Sequence, residues 1–279
     1  MARYGPLCVG IDPHPGLLKA WNLDDNLAGL TTFSRLCVEA FAETVAAVKP
    51  QSAFFERFGS RGVAVLERLI AALREAGTLS VVDVKRGDIG STMAAYADAY
   101  AGAGSSLAGD AVTVSPYLGF ESLRPVLDLA AENGRGVFVL GLTSNPEGPD
   151  VQHARARDGR AVAAAMIEAV AAENTTRLSQ TGTQPTGLGS IGVVVGATVG
   201  SAVADLGIDL AACRGPLLAP GVGAQGATAD DLERVFGAAR AQVLAASSRE
   251  VLSAGPDVTA LREAARRSAG ECAAALGRS

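Results

Sequence analysis

Short runs rich in valine, isoleucine and leucine recur every few tens of residues along this chain, each followed by a glycine-, proline- or serine-bearing loop and then an alanine-rich helical stretch. That alternation is the mark of a parallel sheet, whose neighbouring strands need a crossover between them. The strand candidates are Leu7 to Asp12, Val48 to Phe54, Leu79 to Val84, Ala111 to Ser115, Gly136 to Leu142, Ile191 to Ala197, Pro216 to Pro220 and Gln242 to Ala246. Helical candidates intervene at Thr31 to Ala47, Arg61 to Glu75, Ser91 to Ala103, Phe120 to Glu132, Gly159 to Glu173, Ser201 to Cys213, Thr228 to Phe236 and Asp257 to Leu276. Eight units of one kind predict an α/β fold, a single (β/α)8 TIM barrel over residues 1–279. The alternative, an open doubly wound sheet, would carry a glycine-rich turn after its first strand. Here that strand runs out through Gly10-Ile11-Asp12-Pro13-His14-Pro15. Residues 174–190 read as a polar, glycine-rich insertion before the sixth strand, on the amino-terminal face and remote from chemistry.

Composition removes several function classes. A net charge of -5 with scattered arginines leaves no basic footprint for nucleic acid. The amino terminus runs straight into an apolar strand without the regions of a signal peptide, and no stretch is apolar enough to span a bilayer, so the expected location is cytoplasmic, with no membrane partner. Cys8, Cys37, Cys213 and Cys272 stand far apart, which suggests buried thiols rather than a disulfide framework or zinc site. His14 and His153 belong to no metal-ligand pattern, so no metal is expected. The last helix presents Arg262, Arg266 and Arg267 on what reads as a solvated face.

The strongest chemical signal is Asp83-Val84-Lys85-Arg86-Gly87-Asp88-Ile89-Gly90-Ser91-Thr92, directly after the apolar run Leu79 to Val82. Residues two apart on a strand share a face, so Asp83 and Lys85 are expected to project together at a strand end, with Asp88 following in the loop. An acid, an amine and an acid in one small volume shift each other's pKa values, although a salt-bridged, solvated strand end has the same spacing. The lysine inventory favours chemistry. Of 24 basic residues only Lys19, Lys49 and Lys85 are lysine. A compact ammonium can release a proton and a guanidinium cannot. In a barrel, reactive groups gather at the carboxyl ends of strands. Asp12, Asp83, Lys85, Ser144 and Arg249 fall there, whereas Lys49 falls early in a second strand drawn from Val48.

After the seventh strand comes Pro220-Gly221-Val222-Gly223-Ala224-Gln225-Gly226-Ala227, and after the eighth Ser247-Ser248-Arg249. Loops seven and eight commonly bind phosphate in barrels, through backbone N–H groups that glycines leave open and an arginine fork. A phosphorylated small molecule is the expected ligand.

Taken together, Asp83-x-Lys85-x-x-Asp88-Ile89-x-x-Thr92, Pro220-Gly221-Val222-Gly223-Ala224-Gln225 and Ser248-Arg249 resemble the orotidine 5'-phosphate decarboxylase family, from Cys8 to about Arg249. Lys49-Pro50-Gln51-Ser52-Ala53-Phe54-Phe55-Glu56 and Thr143-Ser144-Asn145-Pro146 resemble its long bacterial subgroup. The resemblance implies conversion of orotidine 5'-phosphate to UMP and carbon dioxide in pyrimidine biosynthesis, without a cofactor. It gives Lys85 the proton donation, Asp83 the place beside the departing carboxylate, and Lys49 the holding of Asp83. It also implies a homodimer in which Asp88, Ile89 and Thr92 reach the neighbouring subunit's site. Asp12 and Asp88 would bind ribose hydroxyls, Ser144 and Pro220 would meet the pyrimidine, and Gln225 and Arg249, beside Ser248, would hold the phosphate. Two rivals stand beside this reading. One is a relative acting on sugar phosphates through a magnesium-held enediolate, for which the sequence shows no obvious extra acid near Asp83 beyond Glu56 as a candidate. The other is a catalytically silent nucleotide-binding barrel, which the presence of Lys85 disfavours.

Overall fold

The structure is a computed structural model that describes residues 1, 3–180, 187–222 and 227–278. Eight parallel strands form one sheet: β1 (Leu7–Ile11), β2 (Ala47–Pro50), β3 (Val81–Arg86), β4 (Ala111–Val114), β5 (Gly136–Leu142), β6 (Ile191–Val195), β7 (Leu217–Pro220) and β8 (Val243–Ser247). Their order is β2-β1-β8-β7-β6-β5-β4-β3. The two outermost strands then meet through single parallel bridges, Val48 to Ser80 and Gln51 to Asp83, so the sheet comes round to a TIM barrel with a thin seam between β2 and β3.

Around it run the helices. α1 (Pro15–Ala20) and α2 (Leu27–Phe41) follow β1, α3 (Ala53–Glu56) and α4 (Gly59–Glu75) follow β2, and α5 (Gly90–Ala101) follows β3. A 3-10 turn at Phe120–Leu123 leads into α6 (Arg124–Glu132) after β4; α7 (Gly148–Gln152) and α8 (Val162–Gln180) follow β5, and α9 (Ala202–Asp205) follows β6. α10 (Ala229–Phe236) follows β7, and α11 (Arg249–Leu252) and α12 (Val258–Ala275) follow β8. Among the described residues no helix is long and apolar enough to cross a membrane.

Strand alternation sorts the core into two shells. Leu7, Val9 and Ile11 of β1 pack outward against the helices, while Cys8 joins Val81, Phe138, Val194, Leu218 and Leu244 in the barrel interior. All four cysteines are buried free thiols, as their spacing suggests.

Several predicted boundaries move, each for a local reason. β2 covers Ala47–Pro50 rather than Val48 to Phe54, because Ser52 onward turns into α3, with Phe55 and Glu56 amides bonding back to the Ser52 carbonyl. α2 starts four residues before Thr31, where the Asn26 side chain accepts from the Ala28 and Gly29 amides, and it stops at Phe41. Residues 174–180 belong to α8 rather than to an insertion. Asn174 is fully buried there and donates to the Ile191 and Cys213 carbonyls, which fixes the end of α8 to the amino end of β6. Residues 181–186 lie outside the described residues. Arg262 is not merely solvated: it donates to the Glu39 and Ala40 carbonyls in the last turn of α2.

Candidate active site

At the carboxyl ends of the strands, polar side chains from β1 to β4 and from β8 face Val194, Leu218 and Pro220 across a cavity of about 250 Å³. Asp12, Lys49, Asp83, Lys85, Pro220 and Ser248 all line it. Lys49 pairs in register with Gly10 and sits one residue from the end of β2. The early placement drawn from the sequence is therefore wrong, and the cause is the overlong second strand. Its side chain is 11 % exposed and its ammonium lies 2.6 Å from Asp83 Oδ2.

Asp83 is held from three sides. Lys49 takes Oδ2, while Lys85 Nζ, at 2.5 Å, and the Thr113 hydroxyl, at 2.8 Å, share Oδ1. Burial works to raise the Asp83 pKa, but the attraction of Lys49 and Lys85 prevails and brings it down to about 2. Burial likewise opposes the charge on Lys49, and Asp83 and Asp12 outweigh it, so that ammonium is held above its ordinary range. Beside them burial pushes the Cys8 thiol up to about 12, against the pull of Lys49, so that this buried neighbour stays neutral. Both ions of the buried pair are thus charged across the neutral range.

The strand carrying Asp83 and Lys85 is not regular. Val82 pairs with Val112 and Arg86 with Val114, so Asp83, Val84 and Lys85 lie opposite Thr113 alone. Lys85 takes a left-handed backbone, with φ 48°, a conformation that costs a side-chain-bearing residue roughly 1–2 kcal/mol. Val84 faces the helices and Lys85 returns to the cavity beside Asp83, as alternation expects, but it does so through a bulge rather than a regular strand. The Lys85 side chain is 42 % exposed, against 6 % for Asp83.

The opposite wall depends on a glycine. A Cβ on Gly10 would stand 2.9 Å from Ser248 Cβ and 3.2 Å from Asp12 Oδ2, so only glycine lets the loop after β8 close on β1. Asp12 Oδ1 and Ser248 Oγ are buried there and, among the described residues, have no hydrogen-bond partner. These two oxygens are free to bind a ligand's hydroxyl or N–H groups.

Other predicted residues stand apart from the cavity. Asp88 is half-buried and accepts from the Ile89 amide, Ile89 is 61 % exposed, and Thr92 is exposed in the first turn of α5. Ser144 is exposed after β5, beside Gly196, and Arg249 is exposed at the start of α11, one residue past Ser248. Gln225 lies outside the described residues. Glu56, the acid a magnesium site would recruit, is taken up by Arg86 at 2.7 Å and by the Ser52 hydroxyl at 2.6 Å.

Sequence reasoning missed Thr113 and Gln51. The Gln51 amide donates to the Asp83 carbonyl and its oxygen lies 3.5 Å from Lys49 Nζ. A threonine within a short β-branched run gives no outward sign, since threonine favours strands for its shape alone.

A (β/α)8 barrel whose strand ends bring a buried carboxylate between two ammonium groups, above a small cavity, is an enzyme barrel. The family model of orotidine 5'-phosphate decarboxylase / HUMPS matches residues 5–264. Orotidine 5'-phosphate decarboxylase of Salinispora arenicola is 61 % identical over 276 residues, 99 % of this chain and 95 % of that protein. That of Streptomyces coelicolor is 60 % identical over 277 residues, again 99 % and 95 %. A Streptomyces avermitilis crystal structure described as an orotidine 5'-phosphate decarboxylase superposes with a TM-score of 0.91 at 60 % identity, covering 99 % of this chain and 93 % of the other. The chain belongs to the orotidine 5'-phosphate decarboxylase family, and it is an enzyme of the carboxy-lyase kind.

Proposed function

We propose that the chain converts orotidine 5'-phosphate to uridine 5'-phosphate and carbon dioxide in pyrimidine nucleotide synthesis, with Lys85 as the proton donor. The observation that carries this reading is the Lys49–Asp83–Lys85 chain, in which the partner most open to the cavity is an ammonium. Loss of the carboxylate leaves an electron pair on a ring carbon that the ring does not delocalise. An ammonium fixed beside that carbon stabilises the developing charge and then protonates it. Asp83 stays ionised and repels the substrate carboxylate until it departs as neutral carbon dioxide, an effect whose weight in catalysis is disputed. None of these steps calls on a metal or organic cofactor.

In this reading the unpartnered oxygens of Asp12 and Ser248 receive the sugar and its phosphate-bearing end, and Pro220 lines the pyrimidine side. Ser144, Arg249 and Gln225 complete the pyrimidine and phosphate contacts. Asp88, Ile89 and Thr92 line no part of the cavity of their own chain, which supports assigning them to a partner's site in a homodimer.

The test is an ultraviolet assay of orotidine 5'-phosphate with EDTA present. Loss of the orotate chromophore is expected with the wild type and not with Lys85→Ala, which should still bind uridine 5'-phosphate. Ordinary turnover by Lys85→Ala would remove the proton-donor role, and turnover only of a sugar phosphate with added magnesium would remove the substrate.

A further inference from the structure

We propose that Thr113 is a positioning residue for the proton transfer, setting the place of Lys85 and the orientation of Asp83 through the three-against-one bulge of β3. The inference rests on Lys85 as proton donor and extends it to a residue on a different strand.

Thr113 is 1 % exposed and its hydroxyl meets all three bulged residues. It accepts from the Val84 amide at 3.0 Å and the Lys85 amide at 3.0 Å, and it donates to Asp83 Oδ1 at 2.8 Å. A hydroxyl has one donor and two acceptor sites, and here every one is used. Because both neighbours on one side are N–H groups, the proton has only the carboxylate to go to, so the direction of the bond is fixed by the fold. Lys85 Nζ uses the same Oδ1. One oxygen atom of Asp83 therefore ties the Lys85 ammonium to Thr113, while the Lys85 amide ties its left-handed backbone to the same hydroxyl. Bulges beside active sites commonly re-aim a side chain, and the hydroxyl is what holds this one. Without it, the buried Val84 amide and the part-buried Lys85 amide lose this acceptor and Asp83 keeps only its lysines.

Thr113→Val keeps the shape and removes the polarity, and Thr113→Ser keeps the hydroxyl. With the valine variant folded by its thermal transition, kcat is expected to fall by about 10²-fold, the scale of a reacting group displaced by about 1 Å. KM and affinity for uridine 5'-phosphate should stay within about threefold, since sugar and phosphate contacts lie elsewhere. Hydrogen exchange at the Val84 and Lys85 amides should quicken, and Thr113→Ser should restore most of kcat. If the valine chain does not fold, Thr113→Ala removes the same hydroxyl without apolar bulk and reads the same split. Lys85→Ala runs beside them. An inactive Lys85→Ala with near wild-type kcat in Thr113→Val overturns the role of Thr113 alone, as does a serine variant as slow as the valine one. An active Lys85→Ala overturns the reading of Lys85 beneath it.

Discussion

Asp83 is the charge in the site held by two ammonium groups at once. Its folded pKa of about 2 lies below the value near 3.9 of an unfolded aspartate. The folded state thus binds fewer protons, and the stabilisation is complete above roughly pH 5 and is lost as the pH falls through about 2. Lys49 works in the opposite sense: its raised folded pKa gives stability that is present below the unfolded value and disappears as the pH rises through the folded one. Replacing Asp83 leaves Lys49 buried and unpaired, at a cost of roughly 3–5 kcal/mol. The melting temperature of Asp83→Asn should therefore lie well below that of the wild type near neutrality, and the gap should narrow between about pH 5 and pH 2. A gap unchanged across that range would mean that the ion pair adds nothing to the fold. At this scale the sequence was partly legible. Lys85 and Asp83 announce themselves as scarce chemistry at a strand end. Lys49 needed the true end of β2, and Thr113 acts through a bulge that no periodicity encodes.

The element that most shapes the site is the seam between β2 and β3. Elsewhere neighbouring strands are joined by ladders, but here the pairing is two single parallel bridges, Val48 to Ser80 and Gln51 to Asp83, whose bonds include Val48 N to the Leu79 carbonyl and Ser52 N to the Asp83 carbonyl. Side chains supply the rest: Lys49 to Asp83, Gln51 to the Asp83 carbonyl, and Glu56 on α3 to Arg86 at the end of β3. Just beyond, Gly87 passes so close to the Ser115 carbonyl that a Cβ would collide with it, which explains the glycine in the motif. Glu56 and Arg86 are each about a third exposed, so Glu56→Gln should cost only about 1 kcal/mol or less. Because the pair fastens the segments after Lys49 and Lys85 to each other, kcat/KM should drop several-fold as well. Denaturant midpoints and steady-state rates that both match the wild type would show that the pair does not close the seam. The eight strands were readable because each is a compact apolar run with a turn behind it. The seam was not, because pairing between the two ends of a sheet is a property of closure rather than of either strand.

For the whole molecule, the segments that follow β3, β4 and β5 expose Ile89, Tyr117, Leu118 and, in α7, Val151 on the side of the barrel where the cavity opens. An apolar rim of this kind beside Asp88 and Thr92 suits a second copy of the chain. If sites are shared, a mixture of inactive Lys85→Ala and Asp88→Ala chains forms mixed dimers with one site carrying both lesions and one carrying neither. After subunit exchange such a mixture should regain about a quarter of wild-type activity. A mixture that stays inactive would place Asp88 in the site of its own chain.

The two lysines differ in one further respect, their access to water. On the proposed chemistry each turnover discharges Lys85: its proton leaves on the product while the carboxylate leaves as a neutral gas. The Lys49–Asp83–Lys85 group then falls from one net positive charge to none and grips an anionic product less firmly. Before the next cycle the amine must be recharged, and its side chain, 42 % exposed beside a carboxylate and an ammonium that are almost sealed, is the member of the three that the solvent can reach. On that chemistry the enzyme would draw one proton from the surrounding water for every molecule it converts, with the open side of Lys85 as its inlet.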